Sequence, residues 1–531
     1  MSALMSRNIC RSLKGRLYSV QAVRKAEEGP QFLKVPSSID MVKVATTNNM
    51  APLSRLLFVL KAGSRYEDGS NYGVTHLMRH TAYLGTEEIS AFKVFKELEK
   101  LGTRFNAVTT RDYTMYSLTC TRNNLPNAFK VVYPLMEGRE FNKWEWRDSN
   151  HNAKMQFDVT ALQNQPEVLL MEGIHEAAFR HGLGNSLFAS PNLIGKISQE
   201  TATCFIAKTC RLDRMGVACA GIDSDVLTDL LEEAISPVSR DEEYDSEEIA
   251  YLQKEVFDRV KTMHGVDQNV AVKDLLKMCG TEIDLVKKKI AKYGISEDQT
   301  IESAVVKDVF KFYDIARTVT NDEKAKYFGG ERRINRGDFP LTYVTFATEG
   351  PSMSSADRLS AALVQQVLNP STSVKYVANV KGSRLSSAVK KVTDGEFMVK
   401  GLNVNYSDSG LFGFTVAADP QDIGKVSKAA LDEFLSLAST SITDADVARA
   451  KYQLKSDIAM KMENVGATVM NLAEQVHVTQ NVTSLNDTLM MVDAIKTDDV
   501  VKVAKKLAGG KLSMSSVGNL KNVPYLDQFT K

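Results

Sequence analysis

Gly73-Val74-Thr75-His76-Leu77-Met78-Arg79-His80-Thr81 is the stretch on which the reading of this chain turns. His76 and His80 stand one helical turn apart, so on a helix they share a face, as two imidazoles ligating one metal ion do. In an inverted zinc-peptidase motif, H-x-x-E-H, the residue before the second histidine is the glutamate. Arg79 holds that place here. The stretch has the shape of a metallopeptidase helix without the group that does the chemistry.

Outward from it, the sequence alternates between strand and helix signals. Residues 41–46 alternate in polarity, and residues 55–61 form a short apolar strand ending at Gly63. Ser70 and Asn71 are good N-cap residues for the histidine helix, and Gly85 is its expected stop. A second helix is predicted over residues 90–101, closed by Gly102. Strands follow at 104–109 and 113–121, the latter with Tyr116, Leu118 and Cys120 on one face. Long helical patterns run over 125–136, 142–162 and 165–179, and residues 214–221 read as a buried strand. The class is α+β.

The order then recurs. Residues 327–333 lead into an apolar strand at 341–347, matching 55–61. A helix at 355–368 takes the place of the histidine helix and contains no histidine. Strands at 396–405 and 411–417 match 104–121; helices at 422–437 and 444–462 and a strand at 511–517 complete the unit. This is an internal duplication with a repeat of roughly 200 residues. Between the halves, Asp241-Glu242-Glu243-Tyr244-Asp245-Ser246-Glu247-Glu248 opens a charged helical insertion over residues 238–320, read as a solvated segment.

A chain of 531 residues exceeds one compact core. A net charge of +1 and the lack of a basic, aromatic-laced stripe argue against a nucleic-acid surface. No apolar run reaches the roughly 18 residues that span a bilayer. The 6 cysteines form no C-x-x-C pair and read as free thiols of a reducing compartment. Residues 1–26 carry Arg7, Arg11, Lys14, Arg16, Arg24 and Lys25 and no acid, with Ile9, Leu13 and Leu17 on a separate helical face. This is a mitochondrial transit-peptide pattern, and Arg16-Leu17-Tyr18-Ser19 places cleavage after Tyr18, giving a transit peptide over residues 1–18.

Lys61-Ala62-Gly63-Ser64-Arg65-Tyr66-Glu67-Asp68, followed by the histidine helix, resembles the pitrilysin (insulinase-type) zinc peptidases and their mitochondrial relatives. Asn405-Tyr406-Ser407-Asp408-Ser409-Gly410-Leu411-Phe412-Gly413 and residues 175–179 carry the same resemblance. Within that superfamily the likeness is to the core-subunit branch of ubiquinol–cytochrome c reductase, respiratory complex III. It implies two homologous domains, residues 34–237 and 327–531, each a mainly antiparallel sheet covered by helices, in the mitochondrial processing peptidase/LuxS-like metallohydrolase fold.

A zinc peptidase of this type needs two histidines, a general base and a carboxylate ligand from a later helix. Arg79 cannot serve as base, because a guanidinium stays protonated below about pH 12. It also sets a positive charge beside any dication, a repulsion of several kcal/mol at about 4 Å and an effective dielectric near 20. Ungapped alignment through residues 175–179 puts the family's two helix glutamates at His151 and Asp158. Asp158 can still ligate a metal, with a side chain one methylene shorter; His151 is no carboxylate. The resemblance therefore implies a degenerate site of His76, Arg79, His80 and Asp158, with no catalytic residue, no bound metal and no cofactor. His181, His264 and His477 read as solvent-facing or core residues.

The implied role is a non-catalytic structural subunit on the matrix side of the inner membrane. Its expected partners are a core protein 1 homologue, cytochrome b, cytochrome c1 and the Rieske protein, in a hetero-oligomer within a dimeric complex. No haem, iron–sulfur or quinone motif is present. The alternatives are the presequence-binding α-subunit of the mitochondrial processing peptidase and an active zinc endopeptidase. The first needs a glycine-rich loop in the second half, where residues 368–390 hold only Gly382; the second lacks its base.

Overall fold

The computed structural model describes residues 31–36, 41–47, 52–86, 89–136, 141–210, 214–235, 324–368, 383–439, 442–478 and 482–529. The expected transit peptide, the insertion at 238–320 and most of the segment around Gly382 lie outside them.

Among the described residues, eleven strands form two sheets: β1 Gln31–Pro36, β2 Met41–Thr47, β3 Leu53–Leu60, β4 Arg104–Thr109, β5 Thr114–Thr121, β6 Met215–Ala220, β7 Glu331–Asn335, β8 Thr342–Glu349, β9 Phe397–Asn405, β10 Gly410–Ala418 and β11 Ser513–Gly518. Their orders are β1-β2-β6-β3-β5-β4 and β7-β11-β8-β10-β9. With β1 set aside, the two sheets correspond strand for strand. Each has a single parallel pair, β2 with β6 and β7 with β11, and all other pairings are antiparallel. The duplication read from the sequence is thus a duplication of topology.

Alternation along β3 divides its side chains between two cores. Leu56, Phe58 and Leu60 pack with Leu118 of β5 and with Val74, Leu77 and Met78 of the histidine helix, Val74–Thr81. Leu57 and Val59 point the other way. There, with Met115, Ala45 and Ala218, they meet Val469, Leu472, Ala473 and Val476. These last four belong to a helix of the second half, Val465–Val478.

The exchange is reciprocal. In the second sheet, Val344, Phe346, Phe412 and Phe414 face helices of their own half. Ala347 and Leu411 on the other face are covered by Ile174, Ala178 and Phe179, from the first half's helix Pro166–Phe179. Each half therefore finishes its core with a helix from the other, at about 2 kcal/mol for each large apolar side chain so buried. Both crossings are close. A Cβ on Gly173 would lie 2.5 Å from Ser515 of β11, and one on Gly216 of β6 would lie 2.8 Å from His477.

The halves are also tied by polar contacts. Arg65 bridges Asp112 at 2.7 Å and Asp408 at 2.8 Å. Tyr406 donates its hydroxyl proton to His175 Nε2 at 2.6 Å, since His175 Nδ1 donates to the Met171 carbonyl. Arg65, His175, Tyr406 and Asp408 lie in the segments that carried the family resemblance, so those segments meet at the seam between the halves.

Three local expectations are corrected. Ser70 and Asn71 do not cap the histidine helix. Its N-cap is Gly73, at φ 89°, and the Glu67 carboxylate accepts from the Gly73 amide at 2.9 Å and the Thr75 amide at 2.8 Å. The helix ends at Thr81 rather than Gly85, whose amide is held by Glu145 at 2.7 Å. The pattern over 142–162 is two helices, Lys143–Asp148 and His151–Gln163, broken by Asn150 in the left-handed region at φ 51°.

Candidate metal-type cluster on the histidine helix

The break at Asn150 starts the helix that carries Asp158, and this helix packs directly on the histidine helix. One oxygen of Asp158 collects three partners. Oδ2 lies 3.4 Å from His76 Nε2 and 3.0 Å from His80 Nε2, and it accepts from Arg79 Nη2. The structure thus brings together all four residues that the motif singled out. Among the described residues, the potential ligand atoms of His76, His80 and Asp158 lie within 4.8 Å of one another.

His151 is the exception. Its Nδ1 pairs with the Ser149 hydroxyl at 2.5 Å, and its ring packs 4.8 Å from that of Trp146. It supports the helix junction instead of joining the cluster.

Burial grades the cluster from inside to outside. His76 is 0% exposed and Asp158 27%. Burial, reinforced by the Arg79 charge, pushes His76 down to about 4. Burial also lowers His80. Burial alone would raise Asp158, but Arg79 and the two imidazoles outweigh it and hold the carboxyl below its usual range. At neutral pH the cluster is therefore two neutral imidazoles, one carboxylate and one guanidinium, with no net charge. Below the helix, burial pushes Glu67 up to about 7, against the bonds from Gly73 and Thr75.

Two partners were not legible in the sequence. The Ala189 amide donates to His76 Nδ1 at 3.2 Å, and the Phe188 ring packs 5.5 Å from the His76 ring. The Ala189 contact is a backbone one, which no residue type signals. The approach itself needs Gly73, where a Cβ would come 2.6 Å from that of Ala189.

The Ala189 bond fixes a proton. A backbone amide can only donate, so His76 Nδ1 accepts, and the ring proton of the neutral imidazole sits on Nε2, aimed at Asp158. A metal at Nε2 needs that lone pair free. The donor types suit a zinc ion, but the arrangement does not: the Nε2 of His76 is protonated, and a guanidinium already satisfies the carboxylate. The residues as they stand do not fit a resident catalytic metal.

The second half holds a counterpart. Its helix Asp357–Leu368 packs on Asp444–Met462, and Gln366 donates to Asp457 at 2.9 Å. Asp457 stands as far before Val465 as Asp158 does before Pro166.

Two β-sheet halves with exchanged helices and a histidine–carboxylate cluster on one of them define a peptidase-like fold. The chain belongs to the insulinase-type peptidase family M16. Residues 43–190 match the family model described as insulinase (peptidase family M16), and residues 289–454 match the M16 inactive domain. Subunit 2 of the mitochondrial cytochrome b-c1 complex is similar over nearly the whole chain. The human protein is 28% identical, with 94% of this chain and 91% of the relative covered, and the mouse protein is 26% identical over the same shares. The human mitochondrial-processing peptidase α-subunit is 22% identical, covering 92% and 83%. A chain in the structure of complex III2 from Candida albicans, Inz-5 bound, superposes with a TM-score of 0.67 at 17% identity, over 94% of this chain and 99% of that one, which supports the fold.

Proposed function

We propose that this chain is a non-catalytic structural core subunit of mitochondrial respiratory complex III, a core protein 2 that supports assembly and stability of the quinol:cytochrome c reductase. The observation that carries the reading is end-to-end similarity to cytochrome b-c1 complex subunit 2, combined with Arg79 on the Asp158 carboxylate where a peptidase needs its base. The partners are a core protein 1 homologue, cytochrome b, cytochrome c1 and the Rieske protein. We place the subunit peripherally on the matrix side, held by those partners; no described helix is long and apolar enough to cross a membrane. Residues 1–18 are its transit peptide, and residues 34–237 and 327–531 are its domains, separated by the insertion at 238–320. None of His76, Arg79, His80 or Asp158 is catalytic.

Deleting the protein should lower the amount of assembled complex III, and the tagged chain should migrate with cytochrome b on native gels. Normal complex levels and intact quinol oxidation after deletion count against the proposal. So does presequence-peptide turnover by the isolated chain above that of a His76→Ala His80→Ala control. Presequence binding by a complex of this chain with a catalytic peptidase subunit would favour the processing-peptidase alternative.

A further inference from the structure

We propose that the Arg79 guanidinium is the built-in cation of the His76–His80–Asp158 cluster: it fills the place of a divalent ion, keeps the natural chain metal-free, and on removal uncovers a zinc site. This inference is independent of the assembly role proposed above.

Three observations carry it. First, the Asp158 oxygen that receives both imidazoles also receives Arg79, so the guanidinium shares the one carboxylate oxygen on which the ligand set converges. Second, charge is already balanced. Arg79 neutralises Asp158, and an added dication would leave two uncompensated positive charges in a largely buried site. Third, the guanidinium is held in place. Its carbon lies 5.6 Å from the centre of the Phe188 ring, which also covers His76, so the aromatic roof fixes ligand and cation together.

Without the guanidinium, two imidazoles and a carboxylate remain within 4.8 Å of one another, which is a three-ligand zinc set with a fourth position for water. The His76 ring must then release its Nε2 proton and give up the Ala189 amide, so the uncovered site is weaker than a dedicated one.

The test uses the full-length chain in four forms: natural, Arg79→Gln, Arg79→Lys, and Arg79→Gln combined with Asp158→Asn. Each is titrated with zinc chloride against a chromophoric chelator, and with cobalt(II) read by its visible absorption. Arg79→Gln is expected to bind one ion per chain at least about a hundredfold more tightly than the natural protein, a fraction of the repulsion between a guanidinium and a dication a few ångströms apart. Arg79→Lys keeps the charge and should gain nothing; the double variant should lose what Arg79→Gln gains. The proposal is overturned if the natural chain already binds one ion as tightly, if Arg79→Gln gains none, if Arg79→Lys gains as much, or if the gained ion survives Asp158→Asn. Should Arg79→Gln fold poorly, zinc-dependent recovery or a zinc-dependent rise in melting temperature supports the proposal, and no response to zinc overturns it.

Discussion

In the first half, Asp158 faces two imidazoles and a guanidinium; in the second, Asp457 takes a hydrogen bond from the Gln366 amide. The surrounding scaffold is shared: equivalent sheets, an equivalent helix pair, and a carboxylate at the same distance from the exchanged helix. Both helices of each pair are anchored in the apolar core of their half, through Leu77, Met78 and Met155 in one and Leu363, Val364 and Leu454 in the other. Polar residues at the crossing can therefore change without changing the fold. Histidines there record a site, not a packing requirement.

The strongest way to break this comparison is through the crossings between halves. Gly173→Leu drives a side chain into Ser515, and Gly216→Leu drives one into His477 and Val476. Each should cost about 3 kcal/mol or more in urea unfolding, because these cores have no slack for added volume. If only one of the two is destabilising, the exchange is not equivalent on its two sides.

Acid tests it next. Burial lowers His76 to about 4, and His477, one bond from the Val59 carbonyl, to about 4 as well. Unfolding returns each to the ordinary histidine range near 6.5, so the unfolded chain binds more protons in between. The contribution of these two histidines should be full above about pH 6.5, fall as the pH drops toward about 4 and level off below it, while Glu67, pushed up to about 7, opposes it over part of that window. Across that window each histidine contributes on the order of 3 kcal/mol. His76→Gln and His477→Gln should each flatten the acid limb of the melting temperature measured against pH.

The two carboxylates should then differ. Asp158→Asn leaves Arg79 without its counter-charge and should cost about 2 kcal/mol in chemical denaturation. Asp457→Asn keeps an acceptor for Gln366 and should cost less than about 1 kcal/mol. Equal costs would mean that the first-half cluster is an ordinary polar contact. Tyr406→Phe has an effect of the same small order. It removes one hydroxyl from His175 at the seam and should cost about 1 kcal/mol in the same assay.

The sequence disclosed what local pattern controls. A short apolar run found β3, alternation found β5, and the duplicated order of elements anticipated the paired sheets. Histidine spacing, with the resemblance, located the cluster down to Asp158. It did not disclose what distant backbone controls. The Asn150 break is a left-handed turn at one residue, which helical periodicity passes over. Glu67 caps its helix from across a turn, where Ser70 and Asn71 looked better suited by type. The helices at 465–478 and 166–179 look like any apolar helix; only the completed fold tells which sheet each one covers.

That crossover also sets a schedule. A chain delivered from its N-terminus presents the strands of its first sheet long before the residues at 465–478 arrive to cover Leu57 and Val59. The first half cannot seal as it emerges, and its exposed apolar face must wait for almost the entire polypeptide. Contacts of such long sequence separation make folding slow. A nascent or half-imported chain is therefore sticky on one defined surface, and chaperone binding should concentrate on that face until the last third of the protein has arrived.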